Sequence, residues 1–287
     1  MECVSILVAL TEINKVMKLN KSIIVVTGGA SGIGKALVRQ FSSEGATVII
    51  ADLNLKSAVE LAKEVGGLGV FCDVRVEQSI IDLVKVVTDK FNKIDIFCSN
   101  AGVIFEELGD ATSTRNADWQ SSWEVNVMAH VFAARACLPF MVSRRKGYFL
   151  QIISAAGLLS QIGNSAYSTS KHAALGFAES LSITHGDDGV RVSVVCPQYV
   201  LTPMLGHFDS QAKRELGDIM SPEDVAKIII SGVLKEEFLI LPHPEVKKYF
   251  LNKATNYSKW LEGMKKLRQK VLKLSGDLDI KSIIKSL

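Results

Sequence analysis

The stretch from Ile23 to Asp52 constrains this chain more than any other. Ile23-Ile-Val-Val-Thr27 is a β-branched run without polar alternation, the pattern of a strand buried on both faces of a parallel sheet. Gly28-Gly-Ala-Ser-Gly32-Ile-Gly34 follows at once and opens a helical pattern of Ile33, Leu37, Val38 and Phe41 that closes near Glu44-Gly45. Thr47-Val-Ile-Ile-Ala51 is the next strand, and Asp52 ends it, 18 residues after Gly34. Strand, glycine turn, helix, strand and acid make one βαβ unit, and parallel strands joined in this way need helices covering the sheet. Each residue type also has a chemical reason to be there. Glycines let the backbone turn tightly and approach a pyrophosphate, the helix start offers it unpaired N–H groups, and the terminal carboxylate accepts bonds from ribose hydroxyls. The spacing is Gly-x-x-x-Gly-x-Gly rather than Gly-x-Gly-x-x-Gly, so the argument rests on the placement between strand and helix.

The alternation continues to the end of the sheet. Periodicity predicts helices over Leu55–Val65, Glu77–Phe91, Trp119–Ser143 and Ala166–His185, with strands at Gly69–Val74, Ile94–Gly102, Gly147–Ser154 and Val190–Cys196. A further helix starts with Ser221 as N-cap and Pro222 at its first position and runs to Leu234, before a last strand at Phe238–Pro242. Leu205 to Met220 is a mixed-polarity loop or short helix. The expected architecture is α/β: one doubly wound (Rossmann) parallel sheet over residues 21–243 with helices on both faces. An N-terminal extension (1–20) and a C-terminal helical extension (244–287) flank it. Composition agrees, with 48% hydrophobic residues, ample material for a core. A net charge of +3 is too slight to argue for nucleic acid. The five cysteines are scattered, with no Cys-x-x-Cys, which points to free thiols in a reducing compartment rather than disulfides or zinc. Val4 to Leu10 follows Glu2 rather than a basic segment, so a cleaved signal is not expected, and no apolar run approaches spanning length. The expected location is cytoplasmic.

The candidate chemistry lies at Ser154 and at Tyr167-x-x-x-Lys171. On one helix, positions i and i+4 share a face, so a phenol and an ammonium become neighbours. A tyrosine titrates near pH ~10, and serving as a base near neutrality needs a drop of roughly three units, about 4 kcal/mol. One positive charge about 4 Å away at an effective dielectric of 20 supplies about 4 kcal/mol. Such a pair is common on helix surfaces, so its surroundings decide. Ser154 ends the fifth strand, on the rim that also carries the glycine loop, Asp52, Asp73 and Asn100, and ligands of open parallel sheets bind at that rim. Asn126 sits inside a helical pattern where asparagine is mildly unfavourable.

Taken together and in order, these motifs resemble the short-chain dehydrogenase/reductase family in its classical branch, over roughly Lys21 to Pro242. They are Thr27-Gly-Gly-Ala-Ser-Gly-Ile-Gly34, Cys72-Asp-Val74, Asn100-Ala-Gly102, Asn126, Ser154, Tyr167-x-x-x-Lys171 and Pro197 to Met204. The resemblance implies that Tyr167 is the catalytic acid/base, Lys171 lowers its pKa and holds the nicotinamide ribose, and Ser154 positions the substrate oxygen. Asn126 is similar to the family residue that distorts its helix and holds a water in a proton relay. Gly28, Ser31, Gly32, Ile33 and Gly34 would cradle the pyrophosphate. Asp73 and Val74 would flank the adenine, and Asn100, Ala101 and Gly102 would floor the cofactor. Pro197, Val200 and Thr202 would meet the nicotinamide end. The expected cofactor is NAD, because Asp52 would repel a 2′-phosphate and neither Ser31 nor Leu53 offers it a cation. Gln198 departs from the glycine usual in the family, which puts the backbone beside the nicotinamide in question.

For a substrate, Leu158, Leu159 and Ile162, with Met204, Leu205 and Phe208, predict an apolar pocket for a secondary alcohol or its ketone. Tyr199 either projects into that pocket or packs within its loop. Glu245 to Leu274 carries an apolar stripe of Phe250, Ala254, Tyr257, Leu261, Met264, Val271 and Leu274 opposite nine Lys or Arg. The stripe predicts docking on the domain or on a second subunit of a homodimer or homotetramer, with an anionic membrane surface as the alternative. A catalytically silent nicotinamide-binding regulator on the same fold is a second function class, against which the filled Asn126, Ser154, Tyr167 and Lys171 positions count. A sugar-nucleotide epimerase or dehydratase is a third, against which the glycine spacing and the small C-terminal region count.

Overall fold

The seven strands form one parallel sheet in the order β3-β2-β1-β4-β5-β6-β7. They are β1 (Ile23–Thr27), β2 (Thr47–Asp52), β3 (Leu68–Phe71), β4 (Ile96–Ser99), β5 (Gly147–Ile152), β6 (Val190–Val195) and β7 (Leu239–Ile240). The structure is a computed structural model, and it describes residues 17–105, 107, 110–206, 219–276, 278 and 282–284. Phe208, most of the N-terminal extension and most of the predicted loop after Leu205 lie outside the described residues.

Nine helices are described: α1 (Gly32–Ser43), α2 (Leu55–Val65), α3 (Glu77–Phe91), α4 (Asn116–Trp123), α5 (Ala129–Ser143), α6 (Ser165–His185), α7 (Pro222–Leu234), α8 (Pro244–Thr255) and α9 (Tyr257–Ser275). The sheet has a core on each face. Leu37, Val38 and Phe41 of α1, Leu61 of α2 and Ile229 of α7 cover one face. Ile80 and Val84 of α3, Ala133 of α5 and Ala178 of α6 cover the other. Alternate residues of β1 feed the two cores, Val25 one and Ile24 and Val26 the other, because strand side chains alternate in direction. Strand order reverses between β1 and β4, so the turns after Thr27 and Ser99 diverge and open a cleft at the C-terminal edge of the sheet.

Three expectations need correcting. The predicted third and fourth strands overrun: β3 stops at Phe71 and β4 at Ser99. Cys72 to Val74 and Asn100 to Gly102 are rim turns, with Asp73, Asn100 and Gly102 favouring turns over ladders. The rod from Asn116 to Ser143 is 28 residues long and contains an 18-residue window with a mean hydropathy of 1.5, so by length and composition one helix does reach the spanning range. Half of that window is buried in the protein, where Ala129, Ala133, Ala134, Cys137 and Met141 build the core. Finally, the C-terminal stripe is two helices. Asn256 ends α8 and caps α9, its side chain accepting from Lys259 N at 2.9 Å, as its N-cap preference favours. The break shifts the phase of the repeat, leaving Ala254, Tyr257, Leu261 and Leu274 exposed while Val271 is buried.

Candidate active site

The glycine turn is built for close approach. Gly28 has φ +59°, and a Cβ there would lie 2.9 Å from Ala101 Cα; Gly32 has φ +50°, and a Cβ there would lie 3.2 Å from Thr202 Cγ2. Asn100 ties this turn to β4, donating from Nδ2 to the carbonyls of Thr27 (2.9 Å) and Gly28 (3.1 Å). Thr27 Oγ1 accepts from the N–H groups of Asn100 (3.0 Å) and Ala101 (3.2 Å), which closes the link. Ser31 precedes α1 without making a side-chain cap, so the first N–H groups of that helix are left for a ligand. Asp52 is held at the end of β2 by Ala30 N (3.0 Å) and Asn54 N (2.9 Å). Gly34 stands behind the turn rather than in the cleft, against the Gly28 carbonyl and the Asn100 amide. Its expected contact with a cofactor is therefore corrected: it lets α1 pack under the turn.

Ser31, Gly32, Ile33, Asp52, Leu53, Asp73, Val74 and the turn at Asn100–Gly102 all line a single chamber of about 1610 Å³ that continues past Ser154, Tyr167 and Lys171 to Pro197, Val200 and Thr202. Arg75, which pattern reading missed, lines it too and pairs with Asp73 at 2.6 Å, holding that carboxyl below its usual range.

Tyr167 and Lys171 occupy the first two turns of α6, and both are buried. Lys171 Nζ lies 5.6 Å from the Tyr167 ring centroid and donates to the Ile152 carbonyl at 3.3 Å. Burial pushes the Tyr167 phenol up, against the lowering effect of the Ser154 hydroxyl, and pushes Lys171 down to about 8. The direction at Tyr167 is opposite to the expected lowering. Desolvation disfavours both charged forms, and the Lys171 ammonium is turned to a carbonyl. Ser154 Oγ accepts from Ala156 N at 3.1 Å, which fixes it at the start of a short 3-10 turn.

Asn126 explains the mid-helix asparagine. The rod passes through a π turn at Glu124–Met128, where Asn126 Oδ1 accepts from Val103 N and Nδ2 donates to Val103 O and Ser170 Oγ, each at 3.0 Å. Ser170 in turn donates to the Tyr167 carbonyl at 2.9 Å. Both amide protons of the side chain are taken by protein partners, and the π turn loosens the main-chain hydrogen bonding beside it.

At the far end, Leu159, Ile162, Tyr199, Met204 and Leu205 line the chamber as expected, together with Phe105 and Trp260. Leu158 does not, which corrects that assignment: its side chain is 4% exposed and belongs to the core. Tyr199 lines the chamber and donates to Gln161 Oε1 at 3.0 Å. Gln198 is accommodated by His243, whose Nδ1 accepts from Gln198 N and whose Nε2 reaches the Tyr199 carbonyl, both at 3.2 Å. Burial lowers the His243 pKa, which favours the neutral form this pattern needs. His243 had no sequence signal, since its partners are 44 and 45 residues away.

Known proteins resemble this chain in sequence and in fold. The family model described as short chain dehydrogenase matches residues 22–213. Short chain aldehyde dehydrogenase 1 of Euphorbia lathyris is 34% identical over 221 residues, 76% of this chain and 74% of that protein. Epidermal retinol dehydrogenase 2 of Mus musculus is 31% identical over 234 residues, 77% of this chain and 74% of that one. The crystal structure of a short chain dehydrogenase/reductase from Burkholderia phymatum in complex with NAD superposes with a TM-score of 0.76 at 23% identity, covering 84% of this chain and 96% of that one. The chain belongs to the short-chain dehydrogenase/reductase family.

Proposed function

We propose that this oxidoreductase interconverts a secondary alcohol and a ketone on a mainly apolar small molecule, with NAD as cofactor. The observation that carries the reading is the meeting of Ser154, Tyr167 and Lys171 in one chamber with the glycine turn and Asp52. The open N-terminus of α1 and the Gly28 and Gly32 approach suit a pyrophosphate. Asp52 has its carboxylate fixed where ribose hydroxyls would meet it, and the Arg75 guanidinium is engaged by Asp73 rather than offered to a 2′-phosphate. Thr202 and Val200 line the chamber where the nicotinamide end would lie. A bound nicotinamide would supply the hydride acceptor or donor.

The chain's own part is proton handling. Ser154 hydrogen-bonds the substrate oxygen and orients it toward the Tyr167 hydroxyl. The Tyr167 phenolate takes the hydroxyl proton as an alcohol becomes a ketone, and the phenol returns one in the reverse direction. Lys171, which donates to the Ile152 carbonyl in the free chain, would hold the ribose of a bound cofactor, and its charge would favour the phenolate that burial disfavours. Asn126 holds the Val103 segment against α6 and so positions both groups.

A screen of secondary alcohols with NAD, followed by NADH absorbance, tests the reaction, and retained turnover in Tyr167→Phe would overturn the mechanism. Supporting a reducing, cytoplasmic setting, Cys72, Cys98, Cys137 and Cys196 are buried and form no disulfide among the described residues. We take the chain to be a homo-oligomer, which light scattering of the purified protein tests.

A further inference from the structure

The two C-terminal helices lie beyond residue 213, where the family match ends, yet they wall the chamber. Asn252, Trp260, Gly263, Met264 and Leu267 line it. The wall is pinned by Lys253, which is 8% exposed. Its ammonium donates to the carbonyls of Leu158 (2.8 Å) and Leu159 (3.1 Å), lies 3.3 Å from His172 Nε2, and faces the Trp260 ring at 4.9 Å from its centroid. His172 Nδ1 is 2.9 Å from the Ser168 carbonyl and so carries the proton, leaving Nε2 to accept from Lys253. The clip thus joins α8 to the segment just after Ser154 and to the residue just after Lys171.

Gly263 sits in the middle of α9, where glycine is destabilising relative to alanine. Nothing in the backbone calls for it. Its φ is not positive, and among the described residues no heavy atom lies within 4 Å of where its Cβ would stand. Gly263 is exposed and lines the chamber, so a side chain there would find open space at the chamber's edge. The chamber's about 1610 Å³ also exceeds the roughly 300–1,000 Å³ usual for a ligand site, which leaves room for substrate bulk beside a dinucleotide.

We propose that Gly263 is the size-determining position of the substrate site: the gap it leaves in the wall clipped by Lys253 admits fused-ring or heavily branched apolar alcohols. The inference rests on the alcohol–ketone reading above and names the substrate class within it.

The test compares the full chain with Gly263→Leu, using cyclohexanol and 2-decalol, the same ring carbinol without and with a second ring. Turnover is read by NADH absorbance, and binding is read independently of turnover by tryptophan fluorescence in the presence of NAD. The substitution is expected to lower the 2-decalol to cyclohexanol ratio of kcat/KM by about tenfold or more and to weaken 2-decalol binding in step. In a Lys253→Met background the same change is expected to have about half that effect, because an unpinned wall gives way. An unchanged ratio and unchanged 2-decalol binding in Gly263→Leu overturns the proposal, as does a parent chain that binds neither alcohol. A parent chain that binds 2-decalol, loses that binding in Gly263→Leu and oxidises neither alcohol keeps the chamber assignment and removes the catalytic reading instead.

Discussion

The cofactor rim and the C-terminal wall face the same chamber, but they are held by different kinds of contact. On the rim, function sits in residue types at short offsets from strand ends: Gly28 one residue past β1, Asn100 one past β4, Ser154 two past β5. Ladder pairing fixes those ends, so the chemistry is positioned by local register. In the wall, Lys253 finds its two carbonyls 94 and 95 residues away, and Gly263 matters through space it leaves open. The contrast teaches that the candidate reacting groups are carried by secondary structure, whereas the far wall of the chamber is made by docking.

The largest expected effect strikes the rim. Tyr167→Phe removes the proton carrier and is expected to lower kcat by about 10³-fold, with NAD affinity kept. A fall of less than about tenfold in steady-state turnover would break that side of the comparison.

His130 sharpens it from behind. The side chain is 1% exposed, neither ring nitrogen has a protein partner among the described residues, and burial with the Lys171 charge lowers its pKa to about 3. Between its ordinary value of 6.5 and about 3, the unfolded chain takes up a proton that the folded chain refuses, so stability falls as pH drops through that window. His130→Leu should therefore be more stable than the parent by about 2 kcal/mol more at pH 5 than at pH 8, as read from denaturant unfolding at both pH values. Equal differences at the two pH values would show that the folded histidine binds a proton readily.

Cofactor choice comes next in size. The parent is expected to bind NAD about tenfold or more tightly than NADP, about 1.4 kcal/mol, and Asp52→Ser should narrow the gap by titration calorimetry. Equal affinity in the parent would sink the assignment of Asp52.

The smallest effect belongs to the wall. Gly263→Ala should raise stability by about 1 kcal/mol, or roughly 2–4 °C in Tm, since no described atom opposes a Cβ there. A loss of stability would mean that the glycine is needed for packing, and the size argument would fall with it.

Much of the site was legible because its residues have chemical identities that few other roles explain. The glycine turn, Asp52 and Ser154 follow onto one rim from strand and helix periodicity, the Tyr167 and Lys171 pair joins them through the family resemblance, and Gly28, Gly32, Asp52, Ser154, Tyr167 and Lys171 all line the chamber. Leu158 was misassigned because apolar residues beside an active site look the same whether they face a ligand or the core. His243, Lys253 and Gly263 were missed for another reason. A single histidine, lysine or glycine in an ordinary helical or loop context acquires meaning only from partners distant in the chain.

By itself, then, the order of residues determined the doubly wound sheet, the ligand rim and the acid/base candidates, since each follows from hydrophobic period, turn chemistry and short spacing. Tertiary structure alone decided that Asn126 spends its side chain on Val103 and Ser170, and that burial raises the Tyr167 pKa in the free chain. It also decided that the basic C-terminal stripe breaks at Asn256 and becomes a chamber wall. Those outcomes depend on which surfaces meet, and desolvation, long-range hydrogen bonds and empty volume exist only once they have met.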